Sequence, residues 1–286
     1  MKKIKIIALS VMVAGMATSC QKSDVSNEIE PETSAVELSK KHQVALLEAG
    51  VNPYNAVYAT VAYPDGTSKE GIAAGTVGNR DIFIALDNLV EQALATEAEG
   101  NKQYRTRNLV SRGRTINVVG YTGGRFALTN RMRNGLSAAV RTYNSLNLSL
   151  RFNLRFAATT NADMVIYNAG GSNAGGQAEF PQGGRPGKFI QIFGGMDRQS
   201  SGNNTHVMIH EMGHALGFRH TDYARRRCDG TNEGASNVGA IRIPGTPSAN
   251  RWGQSGLDSD SVMISCFGNE DGRISRFDRI ALQTLY

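Results

Sequence analysis

His210-Glu211-Met212-Gly213-His214-Ala215-Leu216-Gly217-Phe218-Arg219-His220 has the form HExxHxxGxxH, and each fixed position has a task in building a hydrolytic zinc site. An α-helix turns about 100° and rises about 1.5 Å per residue, so His210 and His214 lie on one face a turn apart and both imidazoles reach one ion. Glu211 is rotated one residue from His210, too far round to ligate well but placed to touch a water on the same metal. Gly217 lets the backbone leave the helix, because a residue without Cβ takes the left-handed conformation that a sharp turn requires. That turn brings His220 back as the third ligand. Three histidines leave zinc one open position, the mark of a catalytic rather than a closed structural site. Zinc lowers the pKa of a water it holds to about 7, and Glu211 is the expected general base that takes the proton and returns it to a leaving amine.

Four of the five histidines, His206, His210, His214 and His220, fall in this one stretch. His206 stands one turn before His210 and has two readings, a residue that orients a ligand or a structural one near the helix start. Asn203-Asn204-Thr205 supplies cap candidates for the helix, and Val207, Met208, Ile209, Met212, Ala215 and Leu216 give it an apolar packing surface.

The pattern resembles the metzincin zinc peptidases, in which a glycine turn precedes the third histidine and a methionine turn lies further along. Ser261-Val262-Met263-Ile264 is suitably placed, and the resemblance implies that Met263 is a hydrophobic base beneath the imidazoles rather than a ligand. More closely, HEMGHALGFRHTDY, the segment Ile243-Pro244-Gly245-Thr246-Pro247 and the ending from 261 to 286 are similar to the dual-action HEIGH metallopeptidase family of bacteria. The similarity covers most of 104 to 286 and, more weakly, the part before it. Met212 replaces the isoleucine of the family name, an apolar change of similar volume. Some metzincins carry a tyrosine two residues after the methionine, whereas this chain has Ser265; Tyr223 is the substitute considered for assisting Glu211.

At the other end, Lys2, Lys3 and Lys5 precede and enter an apolar run over 4 to 17, too short for a membrane span and suited to an export signal. It closes on Ala17-Thr18-Ser19-Cys20, which resembles a lipoprotein signal with Cys20 as the lipidated residue; ordinary cleavage after Ala17 or Ser19 is the alternative. Residues 1–20 are therefore read as a signal peptide, and the protein as exported. The expected locations are the outer membrane or cell surface through a lipid anchor, otherwise the periplasm or the medium. Cys228 and Cys266 remain as an even pair in an exported chain, which suits either a disulfide or two buried thiols.

Charge divides the rest. Residues 21–104 hold six Lys and Arg against thirteen Asp and Glu, net −7, while 105–286 hold 22 against twelve, net +10. The basic half has no aromatic-studded basic strip or nucleic-acid motif, so nucleic acid is not an expected partner, and Arg225-Arg226-Arg227 reads as a solvated turn. The acidic half is read as a small α/β pro-segment held on the catalytic part by charge, or else as a permanent accessory domain. It offers a helix over 33 to 49, a strand over 54 to 63 ending at Pro64-Asp65-Gly66, a short strand over 82 to 86 and a helix over 87 to 99. Lacking cysteine, it would block zinc with a carboxylate such as Asp81 or Asp87. Arg105, Arg107, Arg112 and Arg114 mark a region open to processing after arginine.

In the catalytic part, 105–286, strands are expected over 115 to 121, 148 to 156, 163 to 167 and 188 to 193. A helix capped by Thr129 or Asn130 should run to Leu146, and a last helix should follow Ser275. Residues 170 to 187 are glycine-rich and read as a mobile loop at the cleft rim. The fold class is α+β: a twisted mixed sheet with the active-site helix, then an irregular C-terminal subdomain with the methionine turn and the final helix. The reading is an exported zinc endopeptidase holding one catalytic Zn²⁺ and cutting protein or peptide substrates. A catalytically silent, zinc-holding surface binding protein is the alternative, against which the intact Glu211 argues.

Overall fold

The computed structural model describes residues 37–48, 51–76, 79–89, 103–232 and 241–286. The signal segment with Cys20 and most of the helix expected over 87 to 99 lie outside them. Among the described residues no helix is long and apolar enough to cross a membrane.

After helix α1 (Lys40–Glu48), strands β1 (Val57–Ala62), β2 (Ser68–Thr76) and β3 (Asn79–Ala85) form an antiparallel meander. The expected Pro64-Asp65-Gly66 turn joins the first two: Gly66 takes φ of +84°, and the Asp65 carboxylate accepts from the Thr67 amide and hydroxyl. The chain continues through β4 (Tyr104–Arg105), β5 (Thr115–Tyr121), α2 (Asn130–Asn144), β6 (Arg151–Ala157), β7 (Met164–Gly170), β8 (Gly176–Glu179) and β9 (Phe189–Phe193). It ends with α3 (Ser201–Leu216), β10 (Ile241–Arg242) and α4 (Arg276–Leu285). Eight strands make one mixed sheet in the order β1-β2-β3-β8-β9-β7-β5-β6. β5, β6, β7 and β9 run parallel, β8 lies antiparallel to β9, and β3 pairs in parallel with β8. The architecture is therefore α+β with a mixed sheet and a C-terminal helix.

Strand alternation decides which side chains face the helices. Met164, Ile166, Ile190 and Ile192 point into the main core with α2, α3 and α4, while Val165, Tyr167 and Phe189 point to the opposite face. There they join Ala59, Val61, Tyr63, Ala73, Phe83 and Ala85 from the meander, so the acidic N-terminal part shares a core with the catalytic sheet. Beyond the expected charge attraction, backbone pairing and apolar burial join the two parts. One of the ion pairs across this junction, Lys69 to Glu179 at 3.6 Å, even runs against the net charges of the two parts. The strand expected over 148 to 156 begins later, at Arg151, and as the sheet's last strand it leaves Phe156 exposed.

Residues 170 to 187, expected as a mobile loop, contain β8, buried from Gly175 to Pro181. Gly-Gln-Ala-Glu has little β propensity of its own, and hydrogen bonding on both edges makes it a strand. In the arginine cluster Arg112, on an exposed turn, donates to the carbonyls of Thr284 and Leu285, and Arg114 pairs with Asp163. Arg105 and Arg107 are half-buried beside the strand that clamps the motif's exit.

From Thr221 to Ser275 the described chain is irregular apart from the two residues of β10, and α4 fixes its end. Ser275 caps α4 through a capping box with Asp278, and the buried Asp278 carboxylate also accepts from the Ser261 hydroxyl at 2.6 Å and the Val262 amide at 2.8 Å. One side chain thus ties a helix start to the turn that carries Met263. Asp278→Ala removes a cap and leaves buried donors unpaired, so it should lower the free energy of unfolding by about 2–4 kcal/mol. Denaturant titration measures this, and an unchanged midpoint would show that the turn is held by other contacts.

Candidate active site

Helix α3 starts at the Ser200 hydroxyl, which accepts from the Asn203 amide at 3.0 Å. The expected cap residues Asn203, Asn204 and Thr205 lie inside the first turn instead, where Asn204 donates to the carbonyls of Met196 and Gln199. From Asn203 to Leu216 the helix is buried on every side, which no surface helix could be. It stops at Gly217, with φ of +108°, whose amide returns to the Gly213 and His214 carbonyls. The Thr106 amide clamps the Gly217 carbonyl at 2.7 Å, and the Arg219 amide donates to the Tyr104 carbonyl at 2.8 Å.

The turn brings His220 to the other two histidines. Nε2 of His214 lies 3.0 Å from Nε2 of His210 and 3.2 Å from that of His220, and the third separation is 3.2 Å. His210 Nδ1 stands 2.7 Å from the Val262 carbonyl and His214 Nδ1 2.8 Å from that of Phe218. A carbonyl only accepts, so both Nδ1 atoms carry the proton and both neutral rings aim a bare Nε2 lone pair inward. Converging acceptors repel one another and call for a cation. Tetrahedral zinc with bonds of about 2.0–2.1 Å would hold its nitrogens about 3.3–3.4 Å apart, close to the spacing found. Burial, and then the neighbouring His214 and His220, push the His210 pKa well below its ordinary value, which keeps the lone pair free.

A fourth group joins them. Asp81 of β3 places Oδ2 at 3.1 Å from His220 Nε2, and the ligand atoms of Asp81, His210, His214 and His220 all lie within 4.8 Å of one another. Burial would raise the Asp81 pKa, but His220 and Arg226 outweigh it and hold the carboxylate ionised. Asp87, the other carboxylate considered, is exposed. Arg226 corrects the expectation of a solvated Arg225-Arg226-Arg227 turn: it is 1% exposed and reaches Asp81 at 3.3 Å, because a buried guanidinium needs a counter-charge. Arg225 is exposed, and Arg227 pairs with Glu270.

Glu211 is buried beside this centre, and its Oε2 has no hydrogen-bond partner in the protein. Burial first, and the Asp81 charge second, raise its pKa well above the ordinary carboxylate range. Its room comes from Gly176: a Cβ there would stand 2.6 Å from Glu211 Cγ. Sequence reasoning missed Gly176, and the only signal was a glycine where a backbone must pass a side chain closely. Met263 rests against the helix in the same manner, since a Cβ on Gly213 would stand 2.6 Å from its sulfur. Ser265 donates to Asp222 from both its amide and its hydroxyl, at 2.9 and 2.8 Å, pinning the methionine turn to the residue two beyond His220. Cys228 and Cys266 form a disulfide, Cα to Cα 5.9 Å.

Two expectations stand apart from the cluster. His206 is buried, stacked 6.2 Å from the His210 ring, and burial lowers its pKa to about 4 against the opposing pull of Glu270. It is a neutral packing residue outside the converging set. Tyr223 packs edge-on against Tyr104 and accepts from Asn250 at 3.0 Å, so its hydroxyl is already engaged.

A buried histidine triad with an adjacent carboxylate, mounted beside a mixed sheet, defines a metal-dependent hydrolase. The chain belongs to the dual-action HEIGH metallo-peptidase family, whose pattern matches residues 76–286, and it is a metallopeptidase. The match starts ahead of β3 and so takes in Asp81. Two solved structures of myroilysin are similar to the chain, at 17% and 18% identity. They cover 63% and 68% of this chain and 82% and 95% of their own, each with a TM-score of 0.39. Among curated proteins none matches.

The close approach at Gly176 gives a test independent of the ligands. Gly176→Val should force Glu211 aside and reduce kcat/KM about 100-fold while metal content stays near that of the parent. Parent-like turnover would mean that Glu211 has room to spare.

Proposed function

We propose that the chain is an exported zinc endopeptidase in which His210, His214 and His220 hold the ion and Glu211 is the general base. The observation that carries this reading is the convergence of three Nε2 atoms, those of His210 and His214 turned inward by ring N–H bonds to backbone carbonyls, next to a buried carboxylate whose Oε2 has no hydrogen-bond partner. Two nitrogen-fixing bonds of this kind set tautomer and ring direction before any ion arrives. When bound, zinc supplies Lewis-acid polarisation and a water acidic enough to act as nucleophile at neutral pH.

The remaining work falls to the chain's own groups. Glu211 takes a proton on its carboxylate and gives it back to the departing amine. Met263 and the Asp222–Ser265 bonds keep the turn under the site from shifting. β8 is the strand that passes Glu211, so its backbone is where an extended peptide would be aligned by main-chain hydrogen bonds. Export is supported by the basic and apolar start of the chain and by the Cys228–Cys266 bridge, a form of cysteine suited to oxidising compartments. On this reading residues 21–104 are a pro-segment, and Cys20 is the site of lipid attachment.

Glu211→Gln should keep zinc and lose about 10²–10⁴ in kcat against a casein substrate, whereas His214→Ala should lose the zinc itself. Metal analysis alongside the assay separates the two effects. Parent-like cleavage by Glu211→Gln would exclude Glu211 as the base, and full zinc occupancy in His214→Ala would remove that residue from the ligand set.

A further inference from the structure

We propose that the face of the sheet turned away from α3 carries a binding site for an anionic oligosaccharide, a sugar chain bearing sulfate or phosphate groups. The site is separate from the metal centre and independent of the peptidase reading. A cavity of about 670 Å³ opens there, a size that suits a small ligand. Its floor is β5 and β6, paired in parallel with Asn117 opposite Asn153. Alternation turns both asparagines outward, because their neighbours Ile116, Val118 and Phe152 point into the core with α2 and α3. Residues 160–163, returning from β6 to the start of β7, form one side, and the Asp163 amide donates to the Asn117 carbonyl at 3.0 Å. The turn before β9, with Arg185 and Lys188, forms another. None of the lining residues belongs to the histidine and carboxylate cluster.

The chemistry of the lining selects the ligand. Asn153 donates its side-chain amide to Asn117 Oδ1 at 3.2 Å, and the Asn117 side-chain amide donates to Asp163 at 3.4 Å, so the floor is a row of amides held in fixed directions. Each amide keeps a second N–H, and Asn153 a carbonyl oxygen, to meet the donor and acceptor of a sugar hydroxyl. Asp163, the one acid of the lining, is already engaged: Oδ2 accepts from the Asn117 amide at 2.9 Å, and Oδ1 pairs with Arg114 at 3.7 Å. Arg155, Arg185 and Lys188 are exposed around it, and among the described residues none of the three stands within ion-pair distance of a carboxylate. Arg155 donates to the neutral Asn161 carbonyl at 2.9 Å. Asp65 of the β1–β2 turn feels the charge of Lys188, but its carboxylate already accepts from the Thr67 amide and hydroxyl. Three like charges facing one cavity repel, and an anion seated among them relieves that repulsion. The lining holds no aromatic ring to stack a nucleobase. Its apolar members, Ala162 and Pro186, are too small to anchor in a bilayer, which points to a soluble glycan rather than a lipid headgroup.

The test is fluorescence anisotropy of a labelled heparin tetrasaccharide titrated with the full chain at about 0.15 M salt. The parent should bind it saturably, and unlabelled tetrasaccharide should compete whereas its desulfated form should not. Arg155→Gln with Arg185→Gln should weaken binding at least about tenfold, because two charge-assisted contacts are lost. Both side chains are exposed, so the core is left alone. Arg131→Gln with Arg141→Gln removes the same charge from exposed positions of α2 and should leave the affinity within about twofold of the parent. Asn117→Ala with Asn153→Ala keeps every charge and should still weaken binding at least about threefold. Equal losses in the two arginine pairs would reduce the effect to attraction by net charge. Equal competition by inorganic sulfate or by a single-stranded oligonucleotide would mark a patch that takes any anion. Either result, or no saturable binding by the parent, overturns the proposal.

Discussion

The ring N–H bonds from His210 to the Val262 carbonyl and from His214 to the Phe218 carbonyl fix where two lone pairs point, and much of the remaining structure serves to hold those two carbonyls in place. Val262 belongs to the turn carrying Met263, and its own amide is bonded to Asp278 at the start of α4. The last helix of the chain therefore acts on the first histidine of the motif through one carboxylate and one peptide unit. Phe218 follows Gly217, whose left-handed turn is pinned by Thr106. Strand β4 and the exit of the motif thus set the His214 ring, so residues more than 100 positions earlier in the chain contribute to an 11-residue motif.

The sheet supplies the rest of the site by proximity. β8 is short and weak in propensity, yet it passes closest to Glu211 because residue 176 has no side chain. A larger residue would have to trade strand pairing against the position of Glu211. This explains why a segment that composition marks as a loop is buried on both edges.

Legibility followed the range of the interactions. The histidines, Glu211 and Gly217 can be read because one helix and one turn relate them within 11 residues, and the strands over 115 to 121 and 188 to 193 because their apolar pattern is local. Asp81 can be named only as one of two carboxylates, since its meeting with His220 depends on a parallel strand pairing that no local pattern encodes. Arg226 escapes local reading for the same reason: three arginines in a row look solvated until a counter-charge arrives from 145 residues away. The start of α3 goes to Ser200 instead of Asn203 because two polar residues lie within one turn of each other, and burial, invisible locally, decides between them. Tyr104 and Asn250, which engage Tyr223, come from two distant segments.

Arg226 links two parts of the scaffold around the site. It joins Asp81 on one side and the Ser265 carbonyl on the other, so it spans β3 and the turn that carries Met263. Without Asp81 a buried guanidinium would lose a counter-charge, and the segment that bears it would gain a reason to move. Two connections oppose that movement. The Cys228–Cys266 disulfide fastens the segment two residues past Arg226 to the residue following Ser265, and Asp222 holds both the Arg227 amide, at 2.7 Å, and Ser265. Both links tie together the loop and the turn that the ion pair would otherwise release, and neither passes through Asp81. The turn beneath the histidines is thereby fixed by two links that do not depend on the ion pair to β3.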